Sequence, residues 1–198
     1  GAGEAGAKLV SERQWRFPTG ARLKFEYLDR DKDADNYQGH SYTDVFMEEL
    51  THWPDPTPVN KLKATLRSVH GVPVQFHATC NPGGPGHNWV KERYIDPDPK
   101  GWRILKDEFT NPFTGEKQYL ERVFIPSKLT DNGLMMRSGP MYVPRLQQSG
   151  SSELVRAWLE GDWDIIIGAY FDCWNGWKAA GGIVRPFTVP DHWIKFRS

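Results

Sequence analysis

Asn81-Pro82-Gly83-Gly84-Pro85-Gly86-His87 constrains this chain more than any other stretch, because two prolines and three glycines in seven residues forbid continued helix or sheet. Upstream, Val72, Val74, Phe76 and Ala78 alternate with Pro73, Gln75, His77 and Thr79, the period of a pleated strand. Downstream, Asn88 to Ile95 reads as a short helix. A strand, a polar residue at its carboxyl end, a tight loop and a helix is the arrangement in which open α/β sheets place ligand-contacting residues.

A second feature gives this loop a partner. Tyr42 to Met47 is a short, mostly apolar run, read as a buried strand, and Glu48-Glu49 follow it at once. Pro54, Pro56 and Pro58 break the chain, and Val59 to Val69 is then helical, with Val59, Leu62, Leu66 and Val69 at core-facing spacing. Strand, helix and strand within about forty residues is the length of a parallel βαβ unit. If its two strands are neighbours, Thr79-Cys80-Asn81 stands beside the acid pair. In ATP-hydrolysing motors such a pair divides the labour: the first acid holds Mg²⁺, usually through its waters, and the second polarises the attacking water. An Asn amide on the neighbouring strand tip can bond that water or sense the γ-phosphate. Taken alone, each feature has a plainer reading, the acids as a strand meeting solvent and Asn81 as a loop cap. Turn chemistry explains the glycines and prolines, but not an Asn near two carboxylates.

The rest of the chain organises around these two motifs. Arg22 to Leu28 alternates as a strand and Asp29 to Asp35 is a charged loop. Trp102 to Phe109 and Tyr119 to Ile125 read as strands around an Asn111 to Gly115 turn, and Leu154 to Leu159 is a helix stopped by Gly161-Asp162-Trp163-Asp164. A Gly-rich break from Gly176 to Gly182 divides residues 1–175 from 176–198. The 198 residues fit one domain, or one with an attached partial domain, and nine Trp and ten Phe supply bulky core filling. Twenty-five basic and 25 acidic side chains leave a formal charge of zero, so any polyanion contact must be local. Cys80 and Cys173 do not make a disulfide framework, and a reducing compartment is the simpler setting. The sequence holds no apolar run of membrane-spanning length and no signal segment.

Tyr37-Gln38-Gly39-His40, the run to Glu48-Glu49-Leu50-Thr51, Leu66-Arg67-Ser68 and Ala78-Thr79-Cys80-Asn81-Pro82-Gly83-Gly84-Pro85-Gly86-His87-Asn88-Trp89-Val90 together resemble the large terminase subunit of tailed bacteriophages. So do Ile125-Pro126-Ser127-Lys128-Leu129, Asp131-Asn132 and Gly161-Asp162-Trp163-Asp164, and the blocks follow the family's order from Phe17 to Arg197. The resemblance implies an ATP-driven motor that packs viral DNA into a preformed capsid, with a nuclease domain that cuts concatemeric DNA. The fold it implies is α/β: the second half of a P-loop ATPase sheet (RecA/ASCE-like) with parallel strands, then a linker toward an RNase H-like nuclease domain. ATP and Mg²⁺ are the implied cofactors. The implied partners are double-stranded viral DNA, the portal protein and the small terminase subunit, in a homo-oligomeric ring, without a membrane. The place of work is the host cytoplasm, at the procapsid during packaging. Residue by residue, Glu48 matches the Walker B metal-side acid, reaching Mg²⁺ through water, and Glu49 the catalytic carboxylate. Thr79, Cys80 and Asn81 match the coupling motif.

Two residues depart from the family pattern. The metal-side acid is often Asp and the middle coupling residue often Gly, where this chain has Glu48 and Cys80. Glu keeps the charge with a longer reach; Cys80 puts a side chain where backbone freedom is used. A phosphate loop of the form Gly-x-x-x-x-Gly-Lys-Ser/Thr does not occur in these residues, and Gly1-Ala2-Gly3-Glu4-Ala5-Gly6 does not substitute. In the family that loop lies upstream and the first nuclease acid lies past the Trp193 to Arg197 segment. The expectation is therefore a segment with half an ATP site and almost no nuclease site, which alone hydrolyses no ATP.

Other constellations have simpler readings. His77, Cys80 and His87 match no paired-ligand zinc spacing, and His77 and Cys80 fall on opposite faces of a strand. Asp162, Asp164 and Asp172 resemble a two-metal cluster, but a helix stop and turn accounts for them. Trp89 and Trp158 fall at core-facing helix positions, while Trp174 and Trp177 in a Gly-rich loop are candidates for base or sugar stacking. Lys61, Lys63 and Arg67 on one helix, with Lys91 and Arg93, are candidates for DNA phosphates, although a solvated helix face is the ordinary explanation. A competing class is a non-catalytic α/β binding module in which Glu48 and Glu49 are surface acids. Mg-ATP binding by a form of the chain extended upstream separates the two.

Overall fold

The described residues, 6–164 of a computed structural model, begin with three short antiparallel strands, β1 (Lys8–Ser11), β2 (Gln14–Arg16) and β3 (Arg22–Lys24). Pairing with β2 reaches Phe25, whose N–H donates to the Arg13 carbonyl at 2.8 Å, and the strand read as far as Leu28 is not continued beyond it. What reads as a charged loop contains a 3-10 turn, Asp31–Tyr37. Asp33 Oδ2 accepts from the Asp29 and Arg30 N–H groups at 3.1 and 2.9 Å, and Ala34 is buried beneath it.

Next comes the parallel unit that the spacing predicts. β4 (Asp44–Met47) leads through α1 (Thr57–Lys63) to β5 (Gln75–Ala78), and β4 and β5 pair in parallel with Phe46 opposite His77 and Met47 opposite Ala78. Pro58 in the first turn of α1 suits a position with no helical acceptor for its missing N–H. The helix ends before Val69 because residues 65–67 leave it to pair with Tyr42. The Tyr42 N–H donates to the Thr65 carbonyl and the Arg67 N–H to the Tyr42 carbonyl, both at 3.0 Å. Val69, read as core-facing, is consequently 89% exposed. β4 is also not buried on both faces: Val45 and Met47 turn inward, whereas Phe46 is 69% exposed and stacks on His77 at 4.6 Å. Strand alternation lets one face meet the core while the other stays open.

Beyond the glycine-proline loop, α2 (His87–Val90) continues as a wider helical turn through Ile95. β6 (Leu105–Thr110) and β7 (Lys117–Arg122) form the expected hairpin, its turn held by Asn111 Oδ1, which accepts from the Phe113 and Thr114 N–H groups. Two short helices that carry no clear sequence signal follow, α3 (Gly133–Ser138) and α4 (Tyr142–Leu146). α5 (Ser152–Glu160) is capped by Ser151, whose side chain accepts from the Leu154 N–H, and stops at Gly161 in the left-handed conformation, φ 67°.

Leu50, Val59, Val90, Ile95 and Trp163 form the buried cluster, with Met47, Phe76, Cys80 and Trp89 packed against it. Each such side chain contributes roughly 1.5–3 kcal/mol on burial. This cluster therefore fixes the residues that precede and follow the acid pair and the loop. Among the described residues no helix is long and apolar enough to cross a membrane. Asp172, Cys173, Trp174, Trp177, the Gly176 to Gly182 break with its domain boundary, and the Trp193 to Arg197 segment lie outside the described residues.

Candidate functional site

Parallel pairing brings the carboxyl ends of β4 and β5 side by side. The ladder continues past both strands: the Thr79 N–H donates to the Met47 carbonyl at 3.0 Å, and the Leu50 N–H to the Thr79 carbonyl at 2.9 Å. Between them the chain must turn sharply, and it does so at Glu49, whose φ of 54° and ψ of 53° are left-handed. A side chain in that conformation costs about 1–2 kcal/mol. Such strain concentrates where the surroundings fix a functional residue. Glu48 is exposed and Glu49 half-buried.

The turn then grips the loop at both ends. Thr51 is 2% exposed; its Oγ1 donates to the Asn81 carbonyl at 3.0 Å, and its own carbonyl accepts from the Gly86 N–H at 2.8 Å. The approach is close enough to require glycine. A Cβ on Gly86 would lie 2.0 Å from the Trp53 carbonyl oxygen, and one on Gly84, at φ 81°, 2.8 Å from that of Thr51. The Trp53 carbonyl also accepts from Trp89 Nε1–H at 2.7 Å. Within the loop, the Gly83 N–H donates to His87 Nδ1 at 2.9 Å, and Trp158 Nε1–H donates to the Pro82 carbonyl at 3.0 Å. His87 stacks on Trp163 with ring centres 5.4 Å apart.

Two groups have their protonation set by these surroundings. Burial, and then the charge of Glu49, push the Cys80 thiol up to about 11. At neutral pH it is a neutral thiol and no nucleophile. Burial pulls His87 below its ordinary value, against an opposing hydrogen bond to the Trp163 backbone. A neutral ring with its proton on Nε2 leaves Nδ1 free to accept from Gly83.

The family model described as terminase large subunit, T4likevirus-type, N-terminal, matches residues 5–173, which include the acid pair, the loop and α5. The chain belongs to that terminase family. Comparisons with curated proteins and with solved structures give no match. Membership places this terminase chain in phage DNA packaging, within a family of ATPases and nucleases.

In the terminase chain, Glu48, Glu49, Thr79, Cys80 and Asn81 all gather at one end of the parallel pair. The three basic candidates do not share a free face. Lys61 pairs with Asp35, Lys63 Nζ donates to the Tyr94 hydroxyl at 2.6 Å over the Phe76 and Tyr94 rings, and Arg67 Nη2 donates to the Gly39 carbonyl at 2.8 Å. Lys91 bridges Asp96 and Asp164, and Arg93 bonds Asp107. Asp162 accepts from the Asp164 N–H at 2.8 Å, the expected turn. Among the described residues no group of three or more His, Cys, Asp and Glu is placed to hold a metal ion.

Thr51, His87, Trp158 and Trp163 hold the site without having been singled out for it. For Thr51 the available signal is its place directly after the acids, a hydroxyl residue in an apolar setting. Nothing in sequence announces that the Trp158 indole bonds a carbonyl 76 residues away.

Proposed function

We propose that this terminase chain supplies the catalytic carboxylates and the coupling loop of the ATPase that drives viral DNA into the procapsid. One observation carries the reading: hydrogen bonds from Leu50 to Thr79 and from Thr51 to Asn81 hold the acid pair and the loop on neighbouring parallel strands. A plain solvent-facing strand end needs neither the strained Glu49 backbone nor a buried Thr51 tied to the next loop.

The donor set suits Mg²⁺. Glu48 offers an exposed carboxylate, among the described residues outside any group of three or more metal-ligating side chains, and Mg²⁺ takes one or two carboxylates, keeps several waters and fills its shell with phosphate oxygens. When bound with ATP it neutralises charge on the phosphates. Glu48 would hold it, through water. Glu49, aimed by its left-handed backbone, accepts a hydrogen bond from the attacking water and orients it. In this reading the Asn81 amide bonds that water or reads the terminal phosphate, and Thr51 ties the Asn81 backbone to the turn that carries Glu49. Cys80, neutral and half-buried, packs beneath and takes no proton. A nuclease activity on concatemeric DNA, double-stranded DNA, portal protein and small subunit as partners, a ring assembly, and action at the procapsid in the host cytoplasm complete the proposal. In this proposal residues 1–175 are the C-terminal part of the ATPase domain and 176–198 the linker and the start of the nuclease domain.

The test is Mg-ATP turnover by the terminase large subunit that carries this chain. Glu49→Gln is expected to lower kcat by roughly 10²–10⁴-fold with little change in KM, the range for loss of a general base. Wild-type turnover and packaging in both Glu48→Gln and Glu49→Gln would instead make this region a non-catalytic binding module.

A further inference from the structure

Two consecutive loop carbonyls are gripped from different parts of the molecule. Asn81 offers its oxygen to Thr51, in the turn that follows the acids, and Pro82 offers its oxygen to Trp158 on α5. The two carbonyls belong to adjacent peptide planes joined at Pro82, whose ring fixes φ, so only the ψ of Pro82 separates their orientations. α5 is itself anchored, with Val155 and Ala157 buried, and Gly161 turns the chain so that Trp163 joins the same core cluster as Leu50. Trp163 then stacks on His87, whose Nδ1 holds the Gly83 N–H. The loop thus has two holds on the acid-bearing turn, both at Thr51, and two holds on α5 and the turn after it.

We propose that Trp158, supported by Trp163, is a positioning residue through which α5 and the Asn81 loop move as one body. A displacement of Asn81 on the phosphate side is then delivered directly to α5 and to the chain that follows it. The consequence for turnover rests on the ATPase reading above; the clamp itself does not.

Amide hydrogen exchange on the 198-residue chain tests the clamp. Trp158→Phe keeps an aromatic side chain, smaller than the indole, and removes the N–H donor. Exchange at the Gly83 and Gly86 amides is expected to rise roughly five- to tenfold, the worth of one neutral hydrogen bond, with α1 unchanged. As a second measurement, Thr51→Val removes the side-chain hold on the Asn81 carbonyl, with the Gly86 backbone bond and Trp158 intact, and exchange of the Trp158 indole N–H is expected to rise. That measurement decides alone if Trp158→Phe does not fold. Unchanged loop amides in the first variant, or an unchanged indole in the second, overturn the clamp. In the terminase large subunit, Trp158→Phe is expected to lower kcat for ATP by a similar roughly five- to tenfold factor at constant KM. Loosened exchange with full turnover, while Glu49→Gln is inactive, would overturn the coupling role. Full turnover in Glu49→Gln as well would remove the ATPase reading and leave the clamp standing.

Discussion

Glu49 shows how one residue can be asked for incompatible things. Its backbone wants glycine, at φ 54° and ψ 53°, while the proposed chemistry wants a carboxylate. Glu49→Gly is therefore expected to stabilise the chain by up to about 1 kcal/mol, the left-handed penalty less the added freedom of the unfolded glycine. A raised urea midpoint at unchanged slope is the measurement, and a lowered midpoint would mean that the carboxylate stabilises the turn more than the strain costs. The acid pair itself was legible in the sequence because apolar residues followed by two acids mark a strand end. The strain was not, because no residue type reports its own dihedral angles and Glu is an uncommon choice for this one. Thr51 was hidden for a related reason, since a hydroxyl reads as solvent-facing until it is found buried with a loop carbonyl opposite it.

At the scale of elements, hydrophobic period found what had a period. β4, α1 and β5 were readable from apolar spacing and turn residues, although β5 is only Gln75–Ala78 and Val72 and Val74, read as part of its apolar set, precede it and are exposed. α5 was readable because Leu154, Val155, Trp158 and Leu159 share a face before Gly161. β1 was not, because its four residues are all exposed and bury nothing with a period of two. Likewise α3 and α4 are short, bury no residue, and are interrupted by Gly139 and Pro140. The loop between β5 and α2 carries a pH dependence of its own. Burial holds His87 below 6.5 in the folded chain, so the unfolded chain takes up that proton first as pH falls. Lys91 adds to the lowering, whereas the Trp163 backbone, Asp164 and Asp96 oppose it. This contribution is thus fully present above about pH 6.5 and is lost as pH drops from there through the folded value. Protonation at Nδ1 also removes the acceptor for Gly83. His87→Gln is expected to flatten the decline in unfolding free energy between roughly pH 7 and 5. Urea titrations at several pH values check this, and an equally steep decline would place the sensitivity elsewhere.

For the molecule as a whole, the 198 residues contain the acids and the loop but no phosphate-loop sequence. Purified alone, the chain is expected to release no phosphate from Mg-ATP above background, and steady release abolished by Glu49→Gln would overturn that. Beyond the β4–β5 pair and the β6–β7 hairpin the topology was not legible, because the three small sheets among the described residues leave few long-range ladders for sequence periodicity to report. The open face of β4 has a further effect, on the behaviour of the chain in solution. Phe46 lies bare on that face, and a formal charge of zero at pH 7 leaves copies of the chain with little repulsion to keep them apart. Light scattering from concentrated samples is expected to be greatest near neutral pH and to fall on Phe46→Lys, which adds charge and removes an apolar contact together. The same ring that marks the outward side of a strand in the fold is thus expected to contribute, beside other exposed apolar side chains such as Phe113, to how far the chain can be concentrated before it self-associates.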